Sequence, residues 1–203
     1  MRAPASSIAH AVAALRQGQI IAYPTETLFG LGADPFHPHA LTTLLQLKGR
    51  TTTKGLILLI ATMEHLAMVA APPSRLACRL MGVFWPGPLT LVLPAAPGLS
   101  PLLTGDTGYV AVRFSPAPRV AALLRAWDNP LVSTSANRSG EQPACDAATI
   151  RQLWPTEVAA IIPGRCQPTA KASTVVRVTA DNTLTLLRAG LLPFAHIQAA
   201  AAG

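Results

Sequence analysis

Three short segments hold the residues whose types and spacing could do chemistry. Lys48-Gly49-Arg50-Thr51-Thr52-Thr53-Lys54-Gly55 gathers three cations and three hydroxyls in eight residues, and two of the chain's three lysines fall in it. Such a run can chelate a polyphosphate, Arg50 through planar bidentate hydrogen bonds and the lysines through mobile point charges. A solvated basic turn is the alternative. It is not a Walker loop, which runs from strand into helix; here a helix precedes and an apolar strand follows. Ser133-Thr134-Ser135-Ala136-Asn137-Arg138-Ser139-Gly140 comes just after an apolar strand. Loops at the carboxyl ends of strands in open α/β sheets are where ligands bind. Hydroxyls and an amide there can bond phosphate oxygens or complete an Mg²⁺ shell. Pro24-Thr25-Glu26-Thr27-Leu28-Phe29-Gly30-Leu31-Gly32 stops a strand at proline, then offers hydroxyls, a carboxylate and two glycines. That composition suits close backbone approach to a ligand, or equally a tight turn capped by threonine.

Two single arginines add to these. Arg113 and Arg188 each close an apolar strand, where an arginine is a lone surface charge or, taken as a pair, part of an anion-lined rim. The five histidines have no metal-ligand spacing, and no Ser-His-Asp or Cys-His arrangement stands out. Asn137-Arg138-Ser139 matches a glycosylation acceptor, set aside because nothing in the chain indicates secretion. Cys78, Cys145 and Cys166 are odd in number and widely spaced, so reduced thiols in a cytoplasmic protein are expected.

The elements that must position these residues follow from apolar periodicity. Helical stripes cover residues 8–15, 41–47, 76–84 and 120–127, with a short helix ending at 150–154. Strands are expected at 20–23, 56–61, 90–93, 110–114, 131–133, 158–162, 174–178 and 184–187. Their alternation argues for an open α/β sheet, mixed or mostly parallel, in one domain spanning 1–203. The Ala-rich end, residues 198–203, is expected to fray. Half of the 203 residues are hydrophobic and 12% are charged, which excludes disorder. No apolar run reaches the roughly 18–20 residues of a membrane span, and the early residues read as an amphipathic helix, not a signal peptide. The net charge of +7 points to an anionic partner: nucleotide phosphate, RNA or an acidic surface.

Together the segments resemble the YrdC/TsaC family of L-threonylcarbamoyladenylate synthases. The resemblance rests on Ala22 through Gly32, Lys48-Gly49-Arg50, Lys54-Gly55-Leu56-Ile57-Leu58, Trp85-Pro86-Gly87-Pro88-Leu89-Thr90, Val110-Ala111-Val112-Arg113, Ser133 through Gly140 and Ser173-Thr174-Val175-Val176. Each motif alone is weak, but they run in family order from about residue 8 to residue 190. Lys54-Gly55 is similar to the shorter bacterial type, so the accessory C-terminal domain of longer relatives is expected to be absent.

The resemblance implies a YrdC-like twisted open mixed sheet flanked by helices, with a basic concave face. It implies that L-threonine, bicarbonate and ATP give threonylcarbamoyl-AMP and pyrophosphate, for threonylcarbamoylation of adenosine 37 in tRNA. By the same resemblance Lys48, Arg50, Lys54, Ser135, Asn137 and Arg188 would contact ATP, with Lys48 and Arg50 at the chemistry. Thr25, Arg113, Ser133 and Ser173 would form the threonine pocket. Mg²⁺ would ride on the ATP phosphates, with Ser135 and Asn137 as the side chains that could join its shell. A TsaD–TsaB–TsaE type assembly would collect the adenylate. Two other readings stand beside this one: a non-catalytic module for tRNA or double-stranded RNA, and a domain forming carbamoyl-AMP.

Overall fold

The structure, a computed structural model, describes residues 5–26, 28–49, 55–166 and 171–203. Arg50 and Lys54, with the three threonines between them, lie outside the described residues. Nine strands form one twisted open sheet: β1 (Ile20–Pro24), β2 (Phe29–Ala33), β3 (Ile57–Ile60), β4 (Leu89–Pro94), β5 (Tyr109–Phe114), β6 (Leu131–Ser135), β7 (Val158–Ile161), β8 (Thr174–Val178) and β9 (Leu184–Arg188). Their order is β7-β1-β2-β6-β3-β5-β4-β8-β9. β1–β7, β3–β5 and β4–β8 are parallel. The other five pairings are antiparallel, so the sheet is mixed and not mostly parallel.

Strand side chains alternate between faces, and that alternation sorts the core in two. On one face Ile20, Ala22, Leu58, Ile60, Leu91, Val112, Val132 and Val176 are buried. They pack under α2 (Pro38–Lys48), α4 (Arg75–Phe84), α7 (Ala147–Leu153) and α8 (Phe194–Ala202). On the other face Ile21, Tyr23, Leu59 and Leu131 meet α1 (Ala5–Arg16) and α6 (Pro118–Trp127). Two short helices, α3 (Met63–Ala67) and α5 (Pro101–Thr104), complete the described elements. Beyond α1 and α6 this second face opens as a cleft floored by Val92, Ala111, Arg113 and Val175.

Two expectations are corrected. Residues 29–32 are strand and not loop: β2 pairs antiparallel with β1 and β6, Tyr23 facing Gly30. The glycines hide the alternation, but they are needed, because a Cβ on Gly32 would lie 2.7 Å from the Tyr23 ring. The Ala-rich end is helix and not frayed. Alanine is the strongest helix former, Ile197 buries against α4, and Arg79 donates to the Ala201 carbonyl at 3.2 Å.

Candidate active site

The cleft encloses about 610 Å³ and is lined by Thr25, Arg113, Ser133, Ser135, Ser173 and Arg188 among others. That is the size of a small-molecule site. Register accounts for the convergence. Arg113 pairs with Leu59 and Thr90, Thr90 with Val175, and Val175 with Arg188, so one row of side chains crosses β3, β5, β4, β8 and β9. Ser133 and Ser135 reach the same face from β6, which extends two residues past its expected end.

Arg113 is 5% exposed. Its Nε donates to the Gly87 carbonyl at 3.1 Å, and its Nη2 pairs with Glu26 Oε1. Glu26 Oε2 accepts from Ser115 Oγ at 2.5 Å. Burial first, then the charge of Arg188, pushes Arg113 down to about 10, which leaves it cationic at neutral pH. Beneath it Tyr23 is fully buried; burial pushes its phenol well up, against the opposing pull of the Ser133 hydroxyl and the Arg113 charge.

Ser173 and Arg188 are a unit. Arg188 Nε and Nη2 donate to the Ser173 carbonyl at 3.2 and 2.9 Å, and Nη2 also reaches Ser173 Oγ at 3.2 Å. Ser173 Oγ shares a 2.8 Å hydrogen bond with Thr90 Oγ1. Thr25 serves both readings of its segment. Its hydroxyl donates to the Leu28 carbonyl at 2.7 Å and accepts the Leu28 N–H at 3.1 Å, closing the turn, while the residue lines the cleft.

Lys48, expected at the ATP phosphates, sits among protein acceptors. It is fully buried, and its Nζ donates to the carbonyls of Ser135 and Asn137, each at 2.5 Å, and to Asn137 Oδ1 at 2.7 Å. Asn137 Oδ1 also accepts from Ser135 Oγ at 2.6 Å, and its Nδ2 donates to the Glu141 carbonyl at 2.7 Å. Lys48 therefore fastens the Ser135–Asn137 turn from behind, and only Ser135 of the three lines the cleft. Asn137 Oδ1 thus takes two donors, one of them an ammonium. Among the described residues no His, Cys, Asp or Glu cluster could hold a metal.

The profile of the Sua5/YciO/YrdC family, described as telomere recombination, matches residues 13–190. The chain belongs to the Sua5/YciO/YrdC family. It is 43% identical over 158 residues to a threonylcarbamoyl-AMP synthase of Halorhodospira halophila, across 78% of this chain and 83% of that protein. To the protein of the same name in Chromohalobacter salexigens it is 41% identical over 184 residues, 91% of this chain and 99% of that one. The crystal structure of P. abyssi Sua5 complexed with L-threonine matches with a TM-score of 0.88 at 33% identity. That likeness covers 95% of this chain but 56% of the P. abyssi chain, little more than half its length.

In this Sua5/YciO/YrdC fold the described candidates fall into a lining set and a supporting set. Thr25, Arg113, Ser133, Ser135, Ser173 and Arg188 line the cleft; Lys48 and Asn137 support it. Sequence reasoning missed Glu26, Ser115, Tyr23 and Gly87 as participants. Gly87 had a signal in the Trp85-Pro86-Gly87-Pro88 turn, whose Trp85–Pro86 peptide is cis and whose Gly87 N–H donates to the Phe114 carbonyl at 2.8 Å. Glu26 had one as well, being the carboxylate in a run of hydroxyls and glycines.

Proposed function

We propose that this chain joins L-threonine, CO₂ drawn from bicarbonate, and ATP into threonylcarbamoyl-AMP, releasing pyrophosphate. The adenylate supplies the threonylcarbamoyl group for adenosine 37 of tRNAs reading codons that begin with A. The observation that carries this reading is a buried guanidinium, Arg113, beside the hydroxyls of Thr25, Ser133 and Ser173, in the cleft that also takes in Ser135 and Arg188. The synthase names of its relatives agree with it.

In this reading Arg113 holds the threonine carboxylate, and the hydroxyls of Thr25, Ser133 and Ser173 orient the rest of the amino acid. Threonine's amine and CO₂ form a carbamate, whose oxygen attacks the α-phosphorus of ATP while pyrophosphate leaves. A carbamate is already an anion, so the step needs alignment and neutralised charge more than a tuned base. Arg188 and Ser135 serve the nucleotide, and Val92, Ala111, Val175 and Leu187 give an apolar wall suited to its base. Lys48 and Asn137 fix the turn from which Ser135 acts. Arg50 and Lys54 are assigned to the phosphates on the family resemblance. Mg²⁺ would enter with the triphosphate and would supply charge neutralisation there. A TsaD–TsaB–TsaE type assembly is the proposed recipient of the adenylate.

An RNA-binding role alone leaves Arg113 unexplained. Phosphate backbones are met by exposed cations, whereas Arg113 is 5% exposed and faces a carboxylate. The deciding experiment is pyrophosphate release by the purified protein with each reactant omitted in turn. Release is expected only when ATP, L-threonine and bicarbonate are all present. Undiminished release without threonine overturns the reading.

A further inference from the structure

One carboxylate of this protein already sits on the guanidinium to which the functional reading assigns the substrate's carboxylate. Glu26 lies in the loop joining β1 to β2, one residue after Thr25, and its two oxygens are separately held. Oε1 pairs with Arg113 Nη2, and Oε2 takes the Ser115 hydroxyl. Ser115 is itself fixed, 2% exposed and accepting the Ala117 N–H at 3.2 Å. The Glu26 side chain keeps 22% of its surface exposed, against 6% for Arg113, so it is Glu26 that has room to leave.

We infer that Glu26 is an exchangeable internal carboxylate that competes with the ligand's carboxylate for Arg113 and so screens what may bind there. This rests on the assignment of Arg113 to threonine. The competition is between like groups for one planar cation, and an intramolecular competitor acts at a high effective concentration. A bare carboxylate offers Arg113 nothing that Glu26 does not. A ligand that also engages Thr25, Ser133 and Ser173 brings further contacts, and only such a ligand displaces Glu26 at modest concentration. Once the amino group has become a carbamate the ligand carries two negative charges, and a third carboxylate on the same cation is repelled. Glu26 therefore moves away as the ligand settles. Because Thr25 is its chain neighbour, that exchange is coupled to the turn that Thr25 closes onto Leu28.

The test is a titration followed on the Arg113 Nε–H resonance of nitrogen-15-labelled protein, which yields weak as well as tight constants. Wild type, Glu26→Gln and Ser115→Ala are each titrated with sodium acetate, the bare carboxylate, and with L-threonine. Removing the competitor raises the fraction of protein whose guanidinium accepts a ligand. Glu26→Gln should therefore tighten acetate binding roughly threefold to tenfold, and Ser115→Ala should tighten it less, in the same direction. L-threonine binding should tighten by the same factor as acetate binding in Glu26→Gln, because both ligands face the same competitor. An acetate constant that is unchanged or weaker in Glu26→Gln overturns the inference. If that variant does not fold, unchanged or weaker acetate binding in Ser115→Ala overturns it instead. Failure of the functional reading looks different: acetate would perturb Arg113 and respond to Glu26→Gln, while L-threonine would bind no better than acetate to any of the proteins.

Discussion

The ammonium of Lys48, at the end of α2, lies 2.7 Å from Oδ1 of Asn137, a residue 89 positions later that follows β6. Two carbonyls, of Ser135 and Asn137, accept from the same ammonium at 2.5 Å each. Gly49 stops the helix in the left-handed conformation, its N–H turned back to the carbonyls of Gln46 and Leu45. A glycine takes that conformation without the cost a Cβ would add. Lys48 thus joins two chemistry-bearing segments by holding one against the other.

Replacing Lys48 with methionine keeps the stem and removes the donor. The Asn137 carbonyl then loses its ammonium donor, at about 1–3 kcal/mol if water does not reach it, while the Ser135 carbonyl and Asn137 Oδ1 keep only the Asn137 N–H and the Ser135 hydroxyl. A total loss of about 2–4 kcal/mol lowers the Tm of a chain this size by roughly 4–15 °C. Pyrophosphate release should fall by at least about 100-fold, because Ser135 loses its support. Thermal melting and the omission assay check the two halves. A Lys48→Met protein that melts normally but is inactive would return Lys48 to direct contact with ATP.

Arg113→Lys keeps the charge but not the fork. A lysine cannot serve the Gly87 carbonyl and a ligand carboxylate at once in the same plane. The KM for L-threonine should rise roughly 10-fold to 100-fold, while the KM for ATP changes by less than about threefold. Steady-state kinetics with each substrate varied separately gives both values. Equal rises in the two constants would place Arg113 on the nucleotide.

Much of this was legible in sequence, and what was not has a physical reason. A continuous apolar run marks β3, apolar-rich runs mark β4, β5 and β8, and helical stripes mark the core helices, because burial imposes them. β2 escaped, since Gly30 and Gly32 carry no side chain where the Tyr23 ring packs; only the partner strand shows why. The motifs identified the cleft's lining residues, but the orientation of Lys48 could not be read from them. A lysine beside an arginine and three threonines reads as a phosphate contact, and the carbonyls around its nitrogen are visible only in the fold. The Glu26–Arg113 pair likewise depends on β1 and β5 being brought together by an intervening sheet.

Asp146 ties stability to pH near Thr25. It caps α7, its Oδ1 accepting the N–H and the hydroxyl of Thr149, each at 2.9 Å. Its backbone forms an isolated antiparallel β-bridge with Arg165, and the next residue, Cys166, sends its thiol to the Thr25 carbonyl at 3.4 Å. The bonds from Thr149, backbone first, hold the Asp146 carboxyl below its ordinary value. A depressed carboxylate contributes stability above its unfolded pKa and loses it as pH falls through the folded one. Asp146→Ala should therefore melt below wild type at pH 7, with the gap closing below about pH 4. Paired melts across that range check it; a gap that widens in acid contradicts the cap.

Gly190→Ala separates a packing requirement from a conformational one. A Cβ there would lie 2.4 Å from the Ala172 carbonyl oxygen and 2.4 Å from the Ser173 carbonyl carbon, backbone that has little freedom to yield. The Leu191 N–H donates to the Ala172 carbonyl at 2.9 Å, so the two segments are already drawn together. Forcing them apart shifts Ser173, and with it the contacts to Thr90 and Arg188. The expected cost is about 1–3 kcal/mol of stability, with a KM for L-threonine raised more than tenfold. Gly82→Ala is the contrasting change: it sits inside α4 with open space around it, and alanine there should stabilise by about 0.4–1 kcal/mol with unchanged kinetics. Melts and threonine KM values for the pair decide the matter. Normal threonine kinetics in Gly190→Ala would mean that the position of Ser173 is not what the site depends on.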